Sequence, residues 1–231
     1  MSTEPVYADH DWSTPSAVLV ECADLARTYG TGAAAVVAVH GATCLVQPGA
    51  RIALTGPSGS GKSTLLHLLA GLEHPTAGAI DWPALHDRAD IGLVFQGPSL
   101  LPTLAVVENV ALPLLLAGER PTDAAERAQR ALDRLDIGDL ATALPDELSG
   151  GQAQRVAIAR VLAARPLLVL ADEPTGQLDR QTADHVVAVL LDAADEVGAA
   201  LVVATHDPVV AGKLGEHWEM RDGRLDTGGY R

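Results

Sequence analysis

Nine residues, Gly56-Pro57-Ser58-Gly59-Ser60-Gly61-Lys62-Ser63-Thr64, restrict this chain more than any other stretch. They match the spacing of a phosphate-binding loop, in which Gly and four further residues precede Gly-Lys-Ser/Thr. Before them, Arg51-Ile52-Ala53-Leu54-Thr55 reads as a short buried strand. After them, Leu65, Leu66, Leu68 and Leu69 carry a helical pattern that stops at Gly71. Strand, glycine loop and helix give the spacing its mechanism. Glycines let successive backbone N–H groups converge on phosphate oxygens, and the helix N-terminus adds positive dipole character. Lys62 is placed to reach the β- and γ-phosphates and the Ser63 hydroxyl to meet magnesium. The bland alternative is a flexible turn beside a surface lysine, and the flanking strand and helix speak against it. The expected ligand is a nucleoside triphosphate.

The chain has 231 residues, 48% of them hydrophobic, with strand-like and helix-like segments alternating. That predicts an α/β protein with one sizeable core. Aromatics are only 3%, so Ala, Val and Leu must fill the interior. A net charge of −14 opposes broad binding to a phosphate backbone, and no direct nucleic-acid partner is expected. Cys22 and Cys44 lie in apolar segments and make neither a metal motif nor a disulfide framework, so both read as buried, reduced thiols. Residues 1–16 combine Glu4, Asp9 and Asp11 with Pro5 and Pro15, which predicts a disordered tail and no signal peptide. Val110 to Ala117, the most apolar helical stretch, is far short of the ~20 residues that span a bilayer. Membrane association would need a partner.

Along the chain, a first strand is expected over Ala17 to Ala26 and a second over Thr43 to Val46. Tyr29 precedes a glycine turn, where it either stacks on a nucleobase or serves as an edge-strand core aromatic; residue type leaves both open. Ile91 to Phe95 reads as a strand ending in Gln96. The following loop, Gly97 to Leu104, keeps Leu100, Leu101 and Leu104 between prolines, as a contact surface or a local core. Val106 to Ala117 and Thr122 to Leu135 read as two helices. Ser149 is placed to cap a helix that opens Gly150-Gly151-Gln152 and runs to Ala164, giving a second anion-attracting helix tip. Leu167 to Ala171 is a buried strand delivering Asp172-Glu173, two carboxylates suited to magnesium and water chemistry beside a phosphate loop. A helix over Thr182 to Val197, a strand over Ala200 to Ala204 and Thr205-His206-Asp207 follow. The chemistry-bearing residues thus gather at strand C-termini, where open α/β sheets bind ligands.

The phosphate loop, Gln96, Leu148-Ser149-Gly150-Gly151-Gln152, Asp172-Glu173, Asp179 and His206, in that order, resemble the ATP-binding cassette (ABC) ATPases from Val18 onward. Leu100 to Leu104, Glu108-Asn109-Val110 and Ala171 to Gly176 look most like the lipoprotein-release, macrolide-export and cell-division branch. The resemblance implies a P-loop NTPase core, a small antiparallel β-subdomain and an inserted α-helical subdomain near residues 97–164, within one cassette over 17–231. It implies that Tyr29 stacks on adenine, that Gly56 to Thr64 hold the phosphates, and that Ser63, Asp172 and Gln96 handle Mg2+. Glu173 would be the general base, His206 the switch histidine, and Gln96 a γ-phosphate sensor linked to a membrane partner. Asp179 would communicate across a dimer. Ser149, Gly150, Gly151 and Gln152 would complete the ATP site of a second copy, or of a homologous cassette, placed head to tail.

The same resemblance implies a separate permease docking near Gln96 to Leu104, and a location on the inner face of the cell membrane through that permease. Two other roles stay open: a soluble ABC ATPase acting on nucleic acid or ribosome, and force transmission to a cell-wall hydrolase. Three departures stand out. The segment Ala79 to Asp90 is short for a strand hairpin, which predicts a trimmed antiparallel subdomain. Gln177 and Ala153 replace residues common in this branch. With few residues after Asp226, no regulatory C-terminal domain is expected.

Overall fold

The computed structural model describes residues 18–228, so the tail expected over 1–16 lies outside them. In chain order the strands are β1 (Val20–Tyr29), β2 (Val36–Val46), β3 (Arg51–Thr55), β4 (Ala77–Asp81), β5 (Ile91–Val94), β6 (Leu168–Asp172), β7 (Ala200–Ala204), β8 (Glu216–Arg221) and β9 (Arg224–Asp226). The helices are α1 (Lys62–Leu69), α2 (Val106–Leu116), α3 (Pro121–Arg134), α4 (Gly150–Ala163), α5 (Arg180–Val197) and the short α6 (Pro208–Ala211).

A six-stranded sheet runs β5-β6-β7-β3-β8-β9, parallel throughout except for the β8–β9 hairpin. Its central strands read as unbroken apolar runs because both faces are covered. Ile52, Leu54, Leu168, Leu170, Ala200 and Val202 point into one core, shared with α1 and the second sheet. Ala53, Val169, Ala171, Leu201 and Val203 alternate into the other, shared with α2 to α5. One sheet therefore divides two hydrophobic cores, and the three inserted helices α2 to α4 lie on the same side of it as α5.

The second sheet is antiparallel, ordered β2-β1-β4. It holds three strands, and the segment after Asp81 contributes only a short helical turn at Arg88–Asp90. Two strand boundaries differ from those expected. β1 starts at Val20 and continues through Tyr29, and β2 starts at Val36, seven residues before the expected Thr43. Irregular register between Cys22 and Thr28, with positive φ at Asp24 and Gly41, breaks the in/out alternation along both strands. Bulged strands lose the period of two by which strands are read.

The inserted helical block falls where expected, between β5 and β6. Pro121 opens α3 at a position where its missing N–H costs nothing. Buried Asn109 on α2 ties down the preceding loop: its side chain accepts from the Leu101 N–H and donates to the carbonyls of Leu101 and Leu104.

Candidate functional site

Strands β5, β6, β7 and β3 are neighbours, and their C-terminal ends deliver Gln96, Asp172-Glu173, His206 and the glycine loop to one edge of the sheet. A cleft of about 530 Å³ there is lined by Ser58, Gly59, Gly61, Lys62, Ser63, Thr64, Gln96, Glu173 and His206, with Val36, Val37 and Ala38 of β2 as its apolar wall. Gly56 and Pro57 line an adjoining recess with His206.

The loop's glycines are required by space as well as by conformation. Gly56 and Gly61 have φ of 142° and 105°. A Cβ on Gly56 would stand 2.1 Å from the Met220 carbonyl oxygen, and one on Gly61 2.1 Å from that of Ala38. The β8–β9 turn clamps the same loop, because the Gly223 N–H donates to the Ser60 carbonyl at 3.1 Å and the Gly223 carbonyl accepts from the His40 N–H at 2.7 Å. Two strands from opposite ends of the chain thus fix the loop before any ligand arrives.

Inside the cleft, buried Lys62 donates to the carbonyls of Gly56 (2.9 Å) and Pro57 (3.1 Å), with its Nζ 3.7 Å from Glu173 Oε1. The other Glu173 oxygen lies 2.9 Å from His206 Nδ1. Glu173 is only 15% exposed and His206 is 68% exposed, so the histidine forms the solvent side of the pair. Glu173 also holds φ of 46°, a left-handed conformation uncommon for a residue with a side chain and concentrated at functional sites. Its N–H donates to Ala204 of the neighbouring β7 and its carbonyl accepts from Gly176, which aims the carboxylate along the sheet edge. A half-buried carboxylate between a lysine and a histidine, at the mouth of a phosphate loop, is equipped to orient and polarise a water molecule.

Asp172 is buried beside Glu173, and its Oδ1 has no hydrogen-bond partner among the described residues. An orphaned carboxylate oxygen is costly, so this one points to a cation. Asp172, the Ser63 hydroxyl and the Gln96 amide make an all-oxygen donor set of the kind magnesium prefers.

Ser149, Gly150, Gly151, Gln152 and Asp179 are not among the residues lining the cleft. Ser149 caps α4 as expected: its Oγ accepts from the Gln152 N–H, and the Gln152 side chain accepts from the Ser149 N–H at 2.8 Å. The two glycines differ. Gly150 is exposed, and a Cβ there would meet only Leu178 Cδ2, at 3.6 Å, whereas a Cβ on buried Gly151 would stand 2.3 Å from Thr182 Cγ2. Asp179 caps α5; the Thr182 hydroxyl, then the Thr182 N–H, hold its carboxyl below the usual range. Tyr29 is 37% exposed, across the strand pair from Val36, and the Arg27 guanidinium covers one ring face at 4.6 Å.

The wall formed by Val36, Val37 and Ala38 escaped the sequence reading. The signal available was the uninterrupted run Val36 to Val39, which falls in the part of β2 left unassigned.

A family model described as ABC transporter matches residues 39–176. The chain belongs to the ABC transporter family. Similar curated proteins include the lipoprotein-releasing system ATP-binding protein LolD of Alcanivorax borkumensis, 39% identical over 225 residues, covering 92% of this chain and 97% of that protein. An uncharacterized ABC transporter ATP-binding protein of Mycobacterium tuberculosis is 42% identical over 219 residues, covering 90% and 88%. Among solved structures, the ATP-binding cassette MJ0796 bound to ADP and Pi, a dimer in a post-hydrolysis state, superposes with a TM-score of 0.80 at 34% identity, covering 90% of this chain and 96% of that one. This chain is an ABC ATPase, an ATP-binding subunit of a membrane transporter. Among the described residues no helix is long and apolar enough to cross a membrane.

Proposed function

We propose that two copies of this cassette close head to tail around two ATP molecules, and that hydrolysis reopens them to drive a separate permease. The observation that carries this reading is a separation. Phosphate loop, Glu173 and His206 share one cleft, while the capped, exposed Ser149-Gly150 tip of α4 presents backbone N–H groups outside it. A second copy supplies the phosphate for that tip. The dimeric state of the similar MJ0796 cassette supports the arrangement.

Within one site, Gly56 to Thr64 cradle the phosphates and Lys62 exchanges its loop carbonyls for phosphate oxygens. Tyr29 stacks on adenine against the Val36-Val37 wall. Ser63 and Asp172, with Gln96, are the residues that would hold magnesium, whose charge offsets that of the phosphates. Glu173 accepts a proton from the attacking water, and His206 holds the Glu173 carboxylate and reaches the γ-phosphate. Asp179 and Gln152 act at the dimer seam, as the family resemblance implies.

The permease docks on the loop from Gln96 to Leu104, where Leu101 is 44% exposed on a backbone that Asn109 holds rigid. Through that contact the protein sits on the inner face of the cell membrane. The net charge of −14 supports no direct nucleic-acid partner. The unit is one cassette over 17–231 with its helical subdomain near 97–164.

Replacing Glu173 with Gln tests the catalytic assignment. Hydrolysis should fall by ~10²–10⁴-fold, the usual worth of a general base, while ATP affinity is kept. Turnover near the parent rate would place the base elsewhere.

A further inference from the structure

Four of the chain's 16 lysines and arginines line a single cleft of about 300 Å³, in a molecule of net charge −14. Arg127, Arg130 and Arg134 follow one another along one face of α3, and Arg165 stands just past the end of α4. Ala131, Leu135 and Leu162, with Val197 of α5, make the surface between them apolar. None of these residues lines the nucleotide cleft. The 14 residues of α4 put ~20 Å between Arg165 and the Ser149 tip, at about 1.5 Å per residue.

Carboxylates cancel little of that charge. Glu196, the one acid lining the cleft, lies 2.6 Å from Arg134; four guanidiniums against one carboxylate leave the lining at a net +3. Glu119 pairs with Arg127 from outside the lining, and the same guanidinium donates to the Ala163 carbonyl at the end of α4. Arg130 has only Glu126, 3.6 Å away in a pair that is mostly exposed. Asp195 is taken by Arg51, and Asp133 accepts from Gln129. Arg165 has no ion-pair partner among the described residues, and its φ of 53° is the left-handed conformation that glycine usually supplies after a helix. Arg130 and Arg134, four residues apart, are like charges that weaken a helix unless an anion lies between them.

We propose that this cleft binds a phosphate monoester carrying a compact apolar group. Guanidinium forks match phosphate oxygens in pairs, and Arg130 and Arg165 are the donors left free to do so. A phosphate monoester brings close to two negative charges at neutral pH, nearer to the lining's excess than a single carboxylate comes. The apolar floor takes the rest of the ligand, and the cleft's volume suits a small molecule rather than a polymer. An occupant touching α3, α4 and α5 ties the inserted helices to the helix that links β6 and β7. The site is independent of the head-to-tail reading, because it lies away from both the nucleotide cleft and the α4 tip.

Titration calorimetry on the full chain, its phosphate loop filled by Mg·ADP, measures binding of phenyl phosphate. One equivalent should bind per chain, more tightly than inorganic phosphate or benzoate. Arg130→Gln and Arg165→Gln should each weaken it ~10-fold or more, as loss of a charge-assisted bond does, and Arg165→Lys should recover part. Both side chains are exposed, so the variants should melt with the parent. Glu196→Gln keeps every arginine and removes the competing carboxylate, so binding should tighten ~2–5-fold. Arg221→Gln, on β8, should change nothing. No binding by the parent, equal loss in Arg221→Gln, no tightening in Glu196→Gln, or equal affinity for benzoate or inorganic phosphate would overturn the proposal. Phosphatidylcholine vesicles with and without phosphatidic acid separate two sources of the phosphate. Retention that Arg165→Gln abolishes, beside binding of the soluble ester, makes a lipid its carrier, and no retention makes it a free metabolite. Retention without binding of the soluble ester overturns the site.

Discussion

Glu173 occupies the most constrained position in the cleft: left-handed backbone, a lysine on one oxygen and a histidine on the other. Its residue type and place after an apolar strand were readable from the sequence. The backbone strain and the Lys62 contact were not, because both depend on β6 and β3 sharing a sheet edge. Elsewhere, Cys22 and Cys44 face each other across β1 and β2, both buried and both free. A hydrogen bond with Cys44, and then burial, push the Cys22 thiol far above its ordinary range. In the unfolded chain that thiol ionises at ~8.5. Below this pH both states are protonated and stability is unaffected. Above it the unfolded state alone loses a proton, so stability should fall with rising pH by up to ~1.4 kcal/mol per pH unit. Urea unfolding under reducing conditions between about pH 7 and 10 measures the slope. Cys22→Ala should flatten it, and an unchanged slope would assign it to another group.

At the scale of elements, the glycine loop with β3 and α1 was fully legible, because spacing, apolar strand and helical leucines agree. β2 was not, since its bulged register hides the alternation that a flat strand would show. That cost the Val36-Val37 wall of the nucleotide cleft. The start of α4 was legible as a capped, anion-attracting tip, but not the different duties of its glycines. Gly151 lets α4 approach α5, and Gly150 leaves the tip open. Gly151→Ala should therefore destabilise the fold by ~1–3 kcal/mol through overpacking against Thr182. Gly150→Ala should leave the melting temperature nearly unchanged and weaken ATP-driven association. Calorimetry with sedimentation separates the two, and equal melting temperatures would contradict this division of labour.

Across the whole molecule, one parallel sheet separates a nucleotide-side core, with α1 and the antiparallel sheet, from a helical core. The loop from Gln96 to Leu104 leads from the cleft to the helical core. Leu100 packs on the helical core, as the local-core alternative expects, while Leu101 turns outward, where the proposed permease contact would form. Leu101→Asp with Leu104→Asp should leave ATP binding intact and abolish stimulation of the ATPase by the co-expressed permease. Full stimulation and transport in that variant would move the docking surface elsewhere. Composition and spacing could describe one copy; a second was implied by the family resemblance, and the position of the α4 tip away from the residues lining the cleft fits that reading.

The most direct measurement is the sedimentation mass of Glu173→Gln with and without saturating Mg·ATP. The account predicts a monomer without nucleotide or with ADP, and a doubled mass with ATP that Gly150→Ala reduces. A protein that stays monomeric with ATP bound, even alongside its membrane subunit, would contradict it.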